Sequence, residues 1–160
     1  MNWNVDVFQK VKQEWALLTA GPIEHCNAMT VSWGSFGTLW NKPVVTVYVK
    51  PVRHTHSFLC DSEWFTLSFF GKEYREDLLR LGTVSGRDGD KFAGTLLTPT
   101  ARGRAVVYPE AETVLICRKL YRLDMAREGL PEDAVKAYYQ TEEPHTMFVG
   151  EVVEILRNEN

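Results

Sequence analysis

The sequence predicts a mainly β fold of the α+β kind, a Greek-key or barrel-like sheet with short peripheral helices. Three observations carry this reading. Stretches with the two-residue alternation or the β-branched richness of strands recur along the chain. The stretches with helical spacing between them are short. Those helices do not alternate with the strands regularly enough for a doubly wound sheet.

Val5, Phe8, Val11 and Trp15 recur at helical spacing and predict a short amphipathic helix at the start. The apolar run Ala16–Ala20 follows, and Gly21-Pro22 breaks it. From Asn27 to Ser35 the chain alternates, with Met29, Val31 and Trp33 facing one way and Thr30 and Ser32 the other, as in a half-buried strand. Gly34, Gly37 and Asn41-Lys42-Pro43 enclose a turn carrying Phe36, Leu39 and Trp40. Pro43–Lys50 is rich in β-branched residues and is the strongest strand signal; Pro51 ends it. A short helix is expected over Arg53–Asp61, a strand over Glu63–Phe70 and a helix over Glu73–Leu81. Ser85–Lys91 is a polar, glycine-rich loop. Strands are expected over Ala101–Val107 and Thr113–Leu123. Pro131 with Glu132 and Asp133 opens a helix with Ala134, Val135, Tyr138 and Tyr139 on its apolar side. A last strand runs from Met147 to Leu156 with Gly150 inside it.

Composition narrows the function classes. Apolar residues make up 44% and charged residues 24%, ordinary for a globular chain, so one domain is expected over residues 1–160. A net charge of −3 argues against nucleic acid as a partner, because phosphate backbones select basic surfaces. Met1–Lys10 lacks the apolar region of a secretory leader, and no apolar run approaches the ~20 residues of a membrane helix, so no membrane partner is expected. Cys26, Cys60 and Cys117 are odd in number, widely spaced and without a C-x-x-C pair, which fits a reducing, cytoplasmic setting.

Three segments could carry chemistry. At Lys50-Pro51-Val52-Arg53-His54-Thr55-His56-Ser57 a strand hands over to a helix start that offers a guanidinium, a hydroxyl and unpaired backbone N–H groups, the parts a phosphate needs. The same residues also read as a solvated basic turn capped by Thr55 or Ser57. The strand Asn27–Trp33 could present the hydroxyls of Thr30 and Ser32 and its backbone to a planar ligand beside Trp33, or could simply have one core face and one solvent face. The loop Ser85–Phe92 combines glycines with Arg87 and Lys91, and reads either as a close-approach loop or as a surface turn. Metal and hydrolase patterns are weak. His54-x-His56 lacks a third ligand, and G-x-S-x-G, G-x-G-x-x-G and Walker A sequences do not occur. No catalytic residue is assigned.

Five segments in order, Asn27–Trp33, Pro43–Val49, Pro51–Thr55, Ser85–Phe92 and His145–Val152, resemble the flavin reductase-like, FMN-binding split barrels, most closely the flavoredoxin-type branch. The resemblance runs from about Val11 to Leu156. It implies a split β-barrel in which the strand Asn27–Trp33 (Asn27, Met29, Thr30, Val31, Ser32, Trp33) runs beside the isoalloxazine ring. It implies that Arg53, His54 and Thr55, with Lys50 as a further candidate, hold the FMN phosphate, and that the loop carrying Lys91 lies near the flavin. A Lys91 ammonium near ring atom N1 would raise the flavin's potential. The resemblance further implies a homodimer with FMN, an NADH or NADPH donor, and a flavin or redox-protein electron acceptor. Under it the chain is an FMN-dependent oxidoreductase, a flavoredoxin-like electron carrier, or a non-catalytic FMN-binding module. The chain departs from the family pattern at Pro144, where two-component flavin reductases often carry an Asp before the His, and at Gly89, where an aliphatic residue is common.

Overall fold

The computed structural model describes residues 3–158. The chain opens with one helical turn, α1 (Val7–Gln9), capped by the Asp6 carboxylate, which accepts from the backbone N–H of Phe8 and of Gln9. A π-helical turn over Lys10–Glu14 continues it. Strands β1 (Ala16–Ala20), β2 (Asn27–Val31), β3 (Gly34–Leu39) and β4 (Lys42–Val49) follow. Then come α2 (His54–Asp61), β5 (Trp64–Phe69) and α3 (Arg75–Thr83). The small hairpin β6 (Thr100–Arg102) and β7 (Ala105–Val107) precedes β8 (Thr113–Asp124), α4 (Glu132–Tyr138) and β9 (Thr146–Arg157). No helix among the described residues is long and apolar enough to cross a membrane.

Seven strands form one antiparallel sheet in the order β2-β1-β5-β8-β9-β4-β3. Its two edge strands, β2 and β3, are consecutive in sequence, and only Ser32 and Trp33 join them. A flat sheet cannot satisfy so short a link across seven strands. The sheet therefore curls until its edges meet at Ser32-Trp33, while β2 and β3 do not pair with each other. That is a split barrel. Two register shifts between β8 and β9, at Ile116/Cys117 and Lys119/Tyr121, supply the extra bend and twist that β-bulges provide.

The curled sheet has an apolar lining inside and a second apolar layer outside. Leu18, Met29, Val47, Phe65, Leu115 and Phe148 belong to the inner cluster. Leu17, Ala28, Leu78, Leu81, Val106 and Tyr108 belong to the outer one, where α3 and the β6–β7 hairpin cover the sheet. Two buried hydroxyls tie that cover down: Thr19 bonds the Tyr108 hydroxyl at 2.8 Å and Thr66 donates to the Val106 carbonyl at 2.8 Å. Strand β9 crosses the inner cluster closely at Gly150. A Cβ there would overlap the edge of the Phe65 ring, 2.6 Å from its Cε1, and sit 3.0 Å from the Cys117 Cβ. Gly150→Ala is expected to cost about 1–3 kcal/mol, the usual range for overpacking a core, read as a lower urea midpoint at constant m-value.

Several elements differ from the sequence-based expectation. Ala16–Ala20 is a strand buried on both faces, so its sequence shows no alternation. The segment expected as one strand through Ser35 followed by a turn is two strands: β2 stops at Val31, and residues 34–39 form β3. The turn is confined to Trp40 and Asn41, both in the left-handed region (φ 52° and 58°), which makes a two-residue hairpin. The stretch expected as one strand over Ala101–Val107 is the β6–β7 hairpin, turned at Gly103 with φ 59°.

Candidate functional site

Three hollows join end to end along one side of the barrel. The first, about 280 Å³, lies at the start of α2. The second, about 320 Å³, runs along β2 and shares Val52, Arg53 and Glu142 with the first. The third, about 690 Å³ and mostly apolar, lies against α1 and shares Ser32, Trp33, Tyr48 and His145 with the second. Asn27, Arg53, His54, Thr55 and Lys91 line the first hollow. Met29, Thr30, Val31, Ser32, Trp33, Lys50 and Arg53 line the second. Segments far apart in sequence thus reach one continuous groove, with Arg53 at the junction.

At the start of α2, neither Thr55 nor Ser57 caps the helix. Arg53 occupies the N-cap position, and no side chain caps the helix. Thr55 does not turn back to the helix start; its hydroxyl accepts from Asn27 Nδ2 at 2.8 Å. Ser57 donates instead to the His54 carbonyl. With the oxygen of Thr55 engaged by Asn27, its own proton is left to donate. The first-turn N–H groups of an uncapped helix need acceptors, and they carry the positive end of the helix dipole.

Two arginines flank that start. Arg53 Nη2 donates to the Gly82 carbonyl at 2.8 Å, which fixes the guanidinium and leaves further N–H groups for the hollow. Burial lowers the pKa of Arg53, while the Glu142 carboxylate opposes the shift. Arg87, on the glycine-rich loop, reaches the Val52 carbonyl at 3.1 Å and lines the same hollow. Gly86 lets this loop close on the helix start: a Cβ there would strike the Asn27 carboxamide and sit 3.1 Å from His54 Cδ2. The pKa of His54 is lowered by burial and then by the charges of Arg87 and Lys91, so it offers an N–H instead of a full charge near neutral pH.

The lysines play other parts. Lys91 Nζ donates to the carbonyls of Ala28 and Leu81, at 2.5 and 2.8 Å, and so pins β2 to α3 behind the first hollow. Burial, with the charge of Arg53 second, lowers its pKa to about 8. Lys50 is engaged by Glu142 and by the Tyr138 carbonyl, at 2.9 Å, and lines the second hollow only. Thr30 donates its hydroxyl to the Leu78 carbonyl. Tyr48, Tyr138 and Glu142 also line these hollows and left no signal of it in the sequence. Val52, Gly86 and Arg87 lay in the segments singled out there, but were not among the expected site residues.

Where the second and third hollows meet, aromatic rings make the wall. Trp33 lies 5.0 Å from the Tyr138 ring and 5.2 Å from the His145 ring. His145 Nδ1 bonds the Tyr139 hydroxyl at 2.7 Å. Burial, then the Lys50 charge, pulls the His145 pKa down to about 4. The folded chain therefore keeps this imidazole neutral where the unfolded chain, titrating near 6.5, takes up a proton. The resulting stability is complete above pH 6.5 and is lost as the pH falls towards 4. In wild type, Tm is expected to drop over that window more steeply than in His145→Gln, as thermal melts from pH 4 to 8 would show.

No curated protein sequence matches the chain. Among solved structures, a flavoredoxin from Methanosarcina acetivorans superposes with a TM-score of 0.72 at 20% identity, over 99% of this chain and 76% of that one. An FMN-binding protein from Thermus thermophilus with bound p-hydroxybenzaldehyde gives 0.72 at 19% identity, over 100% and 80%. A Streptomyces globisporus NADH:FAD oxidoreductase in complex with NAD and FAD fragments gives 0.69 at 18%, over 91% and 74%. These likenesses show the fold. The family follows from the sequence: residues 8–160 match the family model described as flavin reductase like domain, and the chain belongs to that family.

Proposed function

We propose that the chain binds FMN, with its phosphate at the start of α2 and its ring along β2, and acts as an FMN-dependent oxidoreductase. In this reading it takes reducing equivalents from NADH or NADPH and passes them to a flavin or a redox protein. The observation that carries it is the convergence of the uncapped α2 N-terminus, Arg53, Arg87 and the Thr55 hydroxyl on a hollow that opens into the groove along β2. A phosphate dianion suits that set of donors in a chain of net charge −3. Glu142 lines the same junction, and its pairing with Lys50 offsets its charge.

Bound flavin supplies the hydride and electron chemistry. The protein's own residues hold and shield it. Edge strand β2 offers unpaired backbone groups to the polar rim of a planar ring. Trp33 and Tyr138 close the groove beside it. Neutral His145, oriented by Tyr139, lines the groove as a hydrogen-bonding group. The chain works as a homodimer in this account. Phe8, Val52, Trp33 and Tyr138 stand 84%, 54%, 43% and 50% exposed around the hollows, an apolar rim suited to a second copy.

The test is the visible spectrum of the purified protein, followed by NADH and NADPH consumption with and without added FMN. A yellow protein that consumes a nicotinamide in a flavin-dependent manner is expected. A yellow protein reduced only by a protein donor supports the flavoredoxin-like reading. A colourless protein that takes up no FMN contradicts both.

A further inference from the structure

On the side of α2 turned away from the phosphate hollow, four residues from three elements form a hydrogen-bonded relay ending at a cysteine. His56 and Cys60 are four residues apart on α2 and so share a face. His56 Nδ1 lies 3.7 Å from Cys60 Sγ, and His56 Nε2 lies 2.9 Å from Thr146 Oγ1 on β9. Thr146 donates its hydroxyl proton to Asp124 Oδ1 on β8, at 2.7 Å. A hydroxyl has one proton, so Thr146 can only accept from His56. The hydrogen of a neutral His56 is thereby placed on Nε2, and the lone pair of Nδ1 faces the sulfur. Burial, with the Arg122 charge second, favours the neutral imidazole against the pull of Asp124. From the other side Arg122 Nη1 approaches Cys60 Sγ to 3.1 Å. Lys119 also stands close, but its ammonium is bound to the carbonyls of Leu59 and Cys60.

This is the arrangement of an assisted nucleophile: a thiol, a base within reach, a group that orients the base, and a cation beside the sulfur. Among the described residues no basic side chain is hydrogen-bonded to the half-buried Cys26, and Cys117 is fully buried.

We propose that Cys60 is a peroxide-reactive site, separate from the flavin groove, with His56 as its base and Arg122 as the donor that holds the oxidised product. In the reaction His56 Nδ1 takes the thiol proton, and the sulfur attacks one oxygen of hydrogen peroxide. An S–O bond forms and the O–O bond breaks. The departing hydroxide takes the proton from His56 and leaves as water. The sulfur is oxidised by two electrons to a sulfenic acid, and the peroxide is reduced. Arg122 then donates to the new oxygen. The site does not depend on the flavin reading, because none of its four relay residues lines the three hollows.

The experiment treats the intact protein, without any electron donor, with hydrogen peroxide and dimedone, and follows adducts at Cys60 and Cys26 by peptide mass spectrometry. Cys60 is expected to react about tenfold faster than Cys26, and His56→Asn and Arg122→Met each to slow it about tenfold. Arg122 is exposed, so R122M tests the site even if H56N fails to fold. Equal rates at the two cysteines, or a Cys60 rate unchanged in R122M, overturns the proposal.

Discussion

With Arg53 replaced by alanine, affinity for FMN is expected to fall a hundredfold or more while affinity for riboflavin holds. The two ligands differ by the phosphate, so the comparison isolates the first hollow. The guanidinium is held in place by the Gly82 carbonyl at 2.8 Å and needs little reordering to meet an anion. Each hydrogen bond to a charged group contributes about 1.5–3 kcal/mol, and a guanidinium can make two to one phosphate. Losing two such bonds corresponds to about 3 kcal/mol at the low end, or somewhat more than a hundredfold in Kd. Arg53 is half-buried at the barrel surface and belongs to neither apolar cluster, so the circular dichroism spectrum of R53A should match wild type. Fluorescence titration with both flavins reads the effect directly.

Gly86→Val should act on the same hollow by filling it. The added Cβ would overlap the Asn27 carboxamide, and His54 stands 3.1 Å away on the other side. Asn27 is buried and bonded to Thr55 at 2.8 Å, so it cannot step aside without losing that bond. The alternative is for the loop to lift, which withdraws Arg87 from the Val52 carbonyl. Either response disturbs the donors proposed for the phosphate, and a loss of FMN affinity of about a hundredfold is expected from one or two charge-assisted bonds. The loop lies outside both apolar clusters apart from Phe92, so Tm should move by only about 2–4 °C, the shift of a 1 kcal/mol effect in a chain of this size. A large Tm change with unaltered FMN binding would show that Gly86 serves the fold and not the ligand.

The strands that sequence reasoning found are those whose chemistry is local. Lys42–Val49 is β-branched and flanked by proline and a turn, and no tertiary contact is needed to read it. Strand β1 was hidden because it is buried on both faces, which erases the period of two. Strand β3 was hidden for the opposite reason. It is an edge strand with two glycines, a serine and a threonine among its six residues, and its signal looks like a turn. The segment at the start of α2 was legible as residue types, but whether Thr55 or Ser57 caps the helix was not. Thr55 and Ser57 can both cap a helix, and only their partners decide: Asn27, twenty-eight residues away, holds Thr55, and His54 holds Ser57. Lys91 was legible as a cation near the site, but its two carbonyl partners on β2 and α3 are long-range facts.

The proposed FMN site requires that the start of α2 hold the phosphate and open into a ring-binding groove. Its most direct test is the ratio of FMN to riboflavin affinity in the wild-type protein and in the Arg53→Ala/Thr55→Ala double variant. A wild-type preference for FMN of about a hundredfold or more, collapsing towards unity in the double variant, is the predicted result. Equal affinities in the wild type, or a preference that survives in the double variant, would contradict it.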